Sequence, residues 1–303
     1  MNTDDHSETK LLPEPILAVD ISGIKPVVKT GYQWLEEMTT VRNQRGYSRH
    51  NFSPLTNRAM FIINALNSLG VQSEIDIFDD AGYDLFNYDR PKLVNIIVRF
   101  GSRSGQPAIV FSAHHDIANP DSDNCQDNSA SVCNLIHLCA VLKGQAIGES
   151  ANIIAQRPVI IVFTDKEESG GVGARRMSGR LLRGDFGDFE YNINLELTGL
   201  GKSLWVDTEN FRYKSKPASV KKFDDTVGES GYHKVSTPFS DAIIFRRCRI
   251  DSVCIGILPE QELTGGTRPP TWNICHKEED TIDKCNAEDM SEFVNILERL
   301  ILN

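Results

Sequence analysis

The chain lacks any membrane-length apolar segment. Its apolar runs are short, as at Val159–Phe163, whereas a spanning helix needs about 20 such residues in a row. It also lacks an excess of positive charge: 32 Lys and Arg against 42 Asp and Glu leave a formal net charge of −10. A protein that tracks nucleic-acid phosphates or an anionic membrane surface needs a basic face, so neither partner is expected. Cys-x-x-Cys is missing, and the seven cysteines are odd in number and cannot all pair internally. That usage points to reduced thiols and a cytoplasmic location. The opening Met1–His6 is acidic and polar, without the positive start and apolar stretch of a secretory leader, so no leader is expected. There is no internal repeat, low-complexity tract or linker-like shift in composition.

What is present is ordinary globular material. Hydrophobic residues make up 40% and charged residues 24% of 303, which excludes general disorder and coiled coil. A chain of this length can bury roughly 75% of its unfolded surface without disulfides. The carboxylate excess leaves a divalent-cation site open.

Residues 1–28, with Pro13, Pro15 and Pro26, read as an N-terminal arm, and residues 29–303 as one domain. Periodicity predicts helices over Tyr32–Thr40, Thr56–Leu69 (ending at Gly70), Asn128–Leu142, Gly173–Leu182, Ser219–Ser230, Asp241–Arg247 and Ala287–Leu302. Strands are predicted over Val71–Phe78, Leu93–Phe100, Ile109–Ala113, Val159–Phe163, Tyr191–Leu197, Ser203–Val206 and Ser252–Leu258. The Ile109 and Val159 runs are continuously apolar, as in strands buried on both faces, and a helix lies between them, which makes a βαβ unit. The expected fold is α/β: a three-layer α/β/α arrangement around a mostly parallel, mixed central sheet.

Chemistry-bearing residues gather at the ends of these strands, where open α/β sheets form their sites. After the Ile109 strand come His114-His115-Asp116; side chains alternate along a strand, so His114 and Asp116 point the same way, as suits a metal-bound imidazole braced by a carboxylate. Gln126-Asp127-Asn128-Ser129 precedes a helix and also serves as an N-cap. Asp165-Lys166-Glu167-Glu168 follows the Val159 strand; one adjacent carboxylate can bind a metal while the other acts as general base, although such pairs also occur in solvated loops. Glu196 is read as an acid inside an apolar strand, where it needs a cationic partner. His276 follows a long loop. If Asp127 bridges, each of two metals receives one His, the shared Asp and one Glu, a donor mixture that zinc accepts.

The run His114-His115-Asp116, then Asp127-Asn128-Ser129, then Glu167-Glu168-Ser169-Gly170-Gly171-Val172-Gly173, then His276-Lys277-Glu278-Glu279-Asp280-Thr281 resembles the co-catalytic zinc exopeptidases, and most closely the M28 aminopeptidases. The resemblance covers about residues 90–303. The M20 relatives carry a lid domain before the last histidine, but here Glu196 to His276 is already filled by predicted strands and helices. His114 and Asp127 stand too close in sequence for the domain that the M42 peptidases insert there. The resemblance implies a zinc-exopeptidase (phosphorylase/hydrolase-like) fold and two Zn2+ ions. One would be held by His114, Asp127 and Glu196, the other by Asp127, Glu168 and His276. It further implies that Asp116 orients His114 and that Glu167 is the general base, taking a proton from a metal-bridging water that attacks a peptide or aminoacyl substrate. Three departures stand out. The family usually has Asp where this chain has Glu196, a longer-reaching or bidentate ligand; its Ser-Asp-His segment reads Ser240-Asp241-Ala242; and most members are exported. Glutaminyl cyclases share the fold, so a single-zinc acyltransferase is the enzymatic alternative, and a catalytically inactive metal-binding protein is the non-enzymatic one. The intact Glu167-Glu168 pair favours hydrolysis.

Other features read as structural. His115 faces away from His114, and His137 lies mid-helix. Gly170–Gly173 lacks the Lys-Ser/Thr of a phosphate loop and reads as close backbone packing. Cys125 and Cys275 are spectator thiols. Pro259–Trp272 is expected to line the site and set specificity, with Arg268 as a partner for a carboxylate and Trp272 as the wall of an apolar pocket.

Overall fold

The computed structural model describes residues 29–41, 45–48, 51–79, 92–101, 106–144, 157–207, 217–228, 230–236, 239–264 and 269–302. The expected N-terminal arm and the stretch 265–268, with Arg268, lie outside the described residues. Helix α1 (Gly31–Met38) starts at a capping box: the Thr30 hydroxyl accepts from the Gln33 backbone N–H, and the Gln33 side chain accepts from that of Thr30. A short hairpin follows, β1 (Arg45–Ser48) and β2 (Asn51–Thr56). It leads into α2 (Asn57–Ser68), capped by Thr56 and ended by Gly70 in the left-handed region.

The centre is an eight-stranded sheet. Its strands are β3 (Ser73–Asp79), β4 (Lys92–Phe100), β5 (Ala108–His114), β6 (Val159–Thr164), β7 (Phe189–Leu195), β8 (Ser203–Asp207), β9 (His233–Val235) and β10 (Ser252–Leu258). The spatial order is β3-β4-β6-β5-β7-β10-β8-β9. The four middle strands, β6, β5, β7 and β10, run parallel. β3 and β4 on one side and β8 on the other join antiparallel, and β9 pairs parallel to β8. Every residue of β5, β6 and β10 is buried, the physical meaning of their uninterrupted apolar runs.

Helices α3 (Ala130–Leu142), α5 (Ala218–Val227) and α9 (Ala287–Leu302) join α1 and α2 on one face, packing on Ile109, Phe111, Ile193 and Leu195. Helices α4 (Val172–Leu182) and α6 (Asp241–Arg247) cover the other face, against Val110, Ile160 and Val162. This is the expected three-layer α/β/α arrangement. The expected loop before His276 instead contains two one-turn helices, α7 (Glu260–Thr264) and α8 (Pro270–Ile274), the latter started by Pro270. No helix among the described residues is long and apolar enough to cross a membrane.

Candidate metal centre

Three adjacent parallel strands, β6, β5 and β7, end side by side and deliver the candidate residues to one edge of the sheet. His114 is the last residue of β5, and Asp116 follows it. Asp127 lies in the irregular turn Cys125–Ser129 that enters α3. Glu167 and Glu168 occupy the turn after β6. Glu196 lies immediately past the end of β7 rather than inside the strand, because the chain breaks from the ladder at Leu197, whose φ is +53°. His276, with φ +66°, follows α8.

These elements bring together all five candidate ligands. Donor atoms of His114, Asp127 and Glu196 lie within 4.8 Å of one another, as do those of Asp127, Glu168 and His276, and Asp127 is common to both groups. His114 Nε2 is 3.1 Å from Asp127 Oδ1 and 3.6 Å from Glu196 Oε2. His276 Nε2 is 3.1 Å from Asp127 Oδ2 and 3.0 Å from Glu168 Oε2. The two oxygens of Asp127 thus face opposite triads. Two ligand atoms on one tetrahedral zinc, each about 2.0–2.1 Å from it, stand about 3.3 Å apart, so the histidine–carboxylate pairs of both triads have the spacing of a zinc shell. Glu168 Oε1 is buried with no hydrogen-bond partner among the described residues, an acceptor of the kind a cation would satisfy. The donor set fits zinc.

The supports are equally specific. The Asp116 carboxylate lies 3.3 Å from His114 Nδ1 and accepts the backbone N–H groups of Glu167 at 3.0 Å and Glu168 at 3.2 Å. One side chain therefore holds the first histidine and the Glu-Glu turn in a fixed relation. Asp280 accepts from the N–H groups of Gln126 (2.7 Å) and Asp127 (3.1 Å), tying the segment that carries His276 to the turn that carries Asp127. The Asn128 amide donates to Leu195 O, linking that turn to β7. Buried Arg58 donates to His115 O and Ser129 Oγ beneath the site, and His115 itself turns away to Val94 O. A Cβ on Gly256 of β10 would collide with the carbonyl oxygen of Glu196 and the ring of Trp205; glycine there lets the end of β7 close down on β10. Gly173 likewise packs directly on the Asp165 backbone, the close approach expected of the Gly170–Gly173 run.

Electrostatically the cluster carries more negative charge than its own cations offset. Burial pushes Glu167 up to about 10, with the charges of Glu196, Asp241 and Asp127 adding to it and His114 opposing. Burial and Asp127 push Glu168 up to about 7, and burial also raises Glu196. For His114, burial acts downward, but the charge of Glu196 and hydrogen bonds to Asp116 and Asp127 carry it well above the ordinary imidazole range. Burial likewise acts upward on Asp127, and the hydrogen bonds of both histidines hold it well below the carboxylate range. Buried acids raised while histidines are also raised describe a site short of positive charge, the condition that bound divalent cations reverse.

Beside the cluster opens a cavity of about 490 Å³. Its far wall is apolar: Leu197, Trp205, Phe239, Trp272 and Cys275. Trp205 and Trp272 meet edge to face with ring centroids 5.8 Å apart. The carboxylate of Glu262 in α7 accepts from both the backbone and the hydroxyl of Thr271, fixing the start of α8 and so the position of Trp272.

Asp280 stood in the motif run after His276 without a role assigned to it, and Arg58 and the buried asparagines of β7 were not singled out by sequence reasoning. The asparagines left a legible signal, the alternation Asn192-Ile193-Asn194-Leu195-Glu196 in a strand otherwise fit for the core; the other two act across sequence distances that no local pattern reports.

In comparison with known sequence families, residues 95–301 match peptidase family M28. No curated protein is similar enough to match the chain. Among solved structures, a glutaminyl cyclase from Bacteroides thetaiotaomicron bound to N-acetylhistamine is similar at 18% identity and TM-score 0.66, over 90% of this chain and 97% of that one. A leucine aminopeptidase precursor from the same organism is similar at 18% identity and TM-score 0.65, over 92% and 99%. A zinc aminopeptidase from Bacillus subtilis is similar at 19% identity and TM-score 0.56, over 70% and 50%.

Proposed function

The chain belongs to peptidase family M28, and from that premise we propose that it is an aminopeptidase that uses two zinc ions and prefers substrates with an apolar N-terminal residue. The observation that carries the reading is the pair of triads sharing Asp127, with Glu167 within reach of His114 and Glu168, at the mouth of an apolar cavity. His114, Asp127 and Glu196 would hold one ion and Asp127, Glu168 and His276 the other. Bound zinc supplies a Lewis acid that polarises a carbonyl and acidifies water.

The chain's own residues do the rest. Leu197, Trp205, Phe239 and Trp272 enclose the side chain of the first residue, exclude water from it, and leave the first peptide carbonyl over the carboxylate cluster. A carboxylate oxygen of Glu167 takes the proton of the attacking water and returns it to the leaving amine. For that role Glu167 must be ionised, so its raised value in the absence of cations must fall in the loaded protein. Asp116 keeps a proton on His114 Nδ1, which leaves the Nε2 lone pair for the ion that Asp127 and Glu196 would share, and its hold on the Glu167 and Glu168 backbone fixes the base beside its ligand neighbour. All seven cysteines are free, which supports a reducing, cytoplasmic setting.

The test is a substrate panel on zinc-loaded protein. Leucyl and phenylalanyl anilides should be hydrolysed faster than aspartyl or lysyl ones, and N-acetylated forms should resist. Release of ammonia from N-terminal glutaminyl peptides without anilide hydrolysis would favour the cyclase chemistry of the Bacteroides thetaiotaomicron neighbour instead.

A further inference from the structure

We propose that Asn194 is a positioning residue for the metal centre: it fixes Glu196 at the end of a buried, one-directional chain of hydrogen bonds that crosses the sheet. The proposal rests on the metal reading of the site, not on peptide hydrolysis.

The sheet register builds the chain. Asn192 lies beside Val110 and Ser252, and Asn194 lies beside Ser112 and Cys254. Because strand side chains alternate, Asn192, Asn194 and Glu196 share one face with Ser112 and His114. Ser112, Asn192, Asn194 and Ser252 are fully buried. The Ser252 hydroxyl donates to Asn192 Oδ1 at 2.7 Å. Asn192 Nδ2 donates to Ser112 Oγ at 3.0 Å, Ser112 Oγ donates to Asn194 Oδ1 at 2.9 Å, and Asn194 Nδ2 donates to Glu196 Oε1 at 3.0 Å. In this series every donor points toward the carboxylate; the Ser112 hydroxyl also lies 3.4 Å from Asn192 Oδ1, and Asn192 Nδ2 lies 3.4 Å from Val110 O, both longer than the bonds of the series. The carboxylate end can only accept, so the orientation of both amides is set, and each bond in such a series polarises the next.

This arrangement divides the work of the two Glu196 oxygens. Oε1 accepts from Asn194, whose other contact on that nitrogen among the described residues is the weak acceptor Cys254 Sγ at 3.8 Å. Oε2 faces His114 Nε2. Glu196 therefore offers Oε2 to a metal, and its long side chain is held by a donor that is itself fully buried. Losing such an outer support usually costs a site about 10- to 100-fold in metal affinity.

The experiment is a zinc titration of the 303-residue chain against a fluorescent chelator of known affinity, with unfolding of the metal-free protein followed in parallel. Asn194→Ala should weaken one of the two sites about 10- to 100-fold and leave the other unchanged. Glu196→Asp, shortened by one methylene, cannot span from Asn194 to the metal-facing position, so Asn194→Ala added to Glu196→Asp should cause no further loss. Ser112→Ala removes the hydroxyl that fixes the Asn194 carbonyl and accepts from Asn192; it should lower metal-free stability modestly and weaken the same site by a smaller factor while leaving the other unchanged, and it serves if Asn194→Ala does not fold. Wild-type affinities at both sites in these variants, or an equal loss from Asn194→Ala in both backgrounds, would overturn the proposal. A wild-type chain that takes up no zinc would overturn the metal reading beneath it.

Discussion

Replacing Glu167 by glutamine isolates one proton from everything else the site does. The side chain is buried, and glutamine has its shape and volume, so no cavity opens. The backbone around it is held from elsewhere, by the Asp116 carboxylate on the N–H groups of Glu167 and Glu168, and the two triads that share Asp127 do not include it. Zinc content and KM for a leucyl anilide should therefore stay near wild type. What is lost is the base, worth about 10²- to 10⁴-fold in rate, or about 2.7 to 5.4 kcal/mol at 1.36 kcal/mol per decade. The substitution has a second signature in the metal-free protein. Burial pushes the Glu167 carboxyl up to about 10, so the folded chain binds a proton there that the unfolded chain gives up; a neutral glutamine removes that part of the pH dependence of stability. The assay is kcat with elemental analysis of the same preparation. A variant that keeps its zinc and turns over within a few-fold of wild type would refute Glu167 as the base.

Stability should report the charge imbalance directly. Glu167 and Glu168 are raised to about 10 and about 7 from an unfolded value of 4.5, so metal-free protein loses stability as pH rises from about 4.5 toward 10. Zinc removes the cause, and the gap in unfolding temperature between zinc-loaded and chelator-treated protein should be wider at pH 9 than at pH 6; a gap that narrows would contradict this. Asp127→Ala leaves both triads one donor short and two cations facing each other unshielded, so elemental analysis should find zinc lost from both sites, against the idea if both ions remain. Trp272→Ala opens one wall of the cavity and should lower kcat/KM for leucyl and phenylalanyl anilides by about tenfold or more relative to an alanyl anilide, with zinc intact; an equal fall across the panel would mean the ring does not contact the substrate.

The strands that carry the site were readable because burial on both faces forces continuous apolar runs, as in β5 and β6, and because the polar residues that interrupt them stand where the strands stop. Helix α2 announced itself through Thr56 and Gly70, which act locally. The order β3-β4-β6-β5-β7-β10-β8-β9 was not readable, since pairing is settled between strands far apart in sequence. β9, with three residues, is too short to show a period, and α7 and α8 are single turns held by Glu262 and Pro270 rather than by propensity. Of the site, the five candidate ligands and the Asp116 brace were visible as residue types in short motifs, but the longer-range supports were not. Asp280 acts through backbone N–H groups more than 150 residues away, and Asn194 gains its meaning from the register with Ser112 on a different strand. Glu196 was placed one step too deep, inside the strand, because the apolar run around it conceals the left-handed turn at Leu197.

The most direct test begins from protein stripped of metal by a chelator. Zinc is then returned in measured equivalents while hydrolysis of a leucyl anilide and bound zinc are followed together. The account predicts no hydrolysis without metal, activity that returns with added zinc, and saturation at two ions per chain. Hydrolysis that survives complete removal of the metal, or a fully loaded chain that cleaves no aminoacyl anilide, would contradict it.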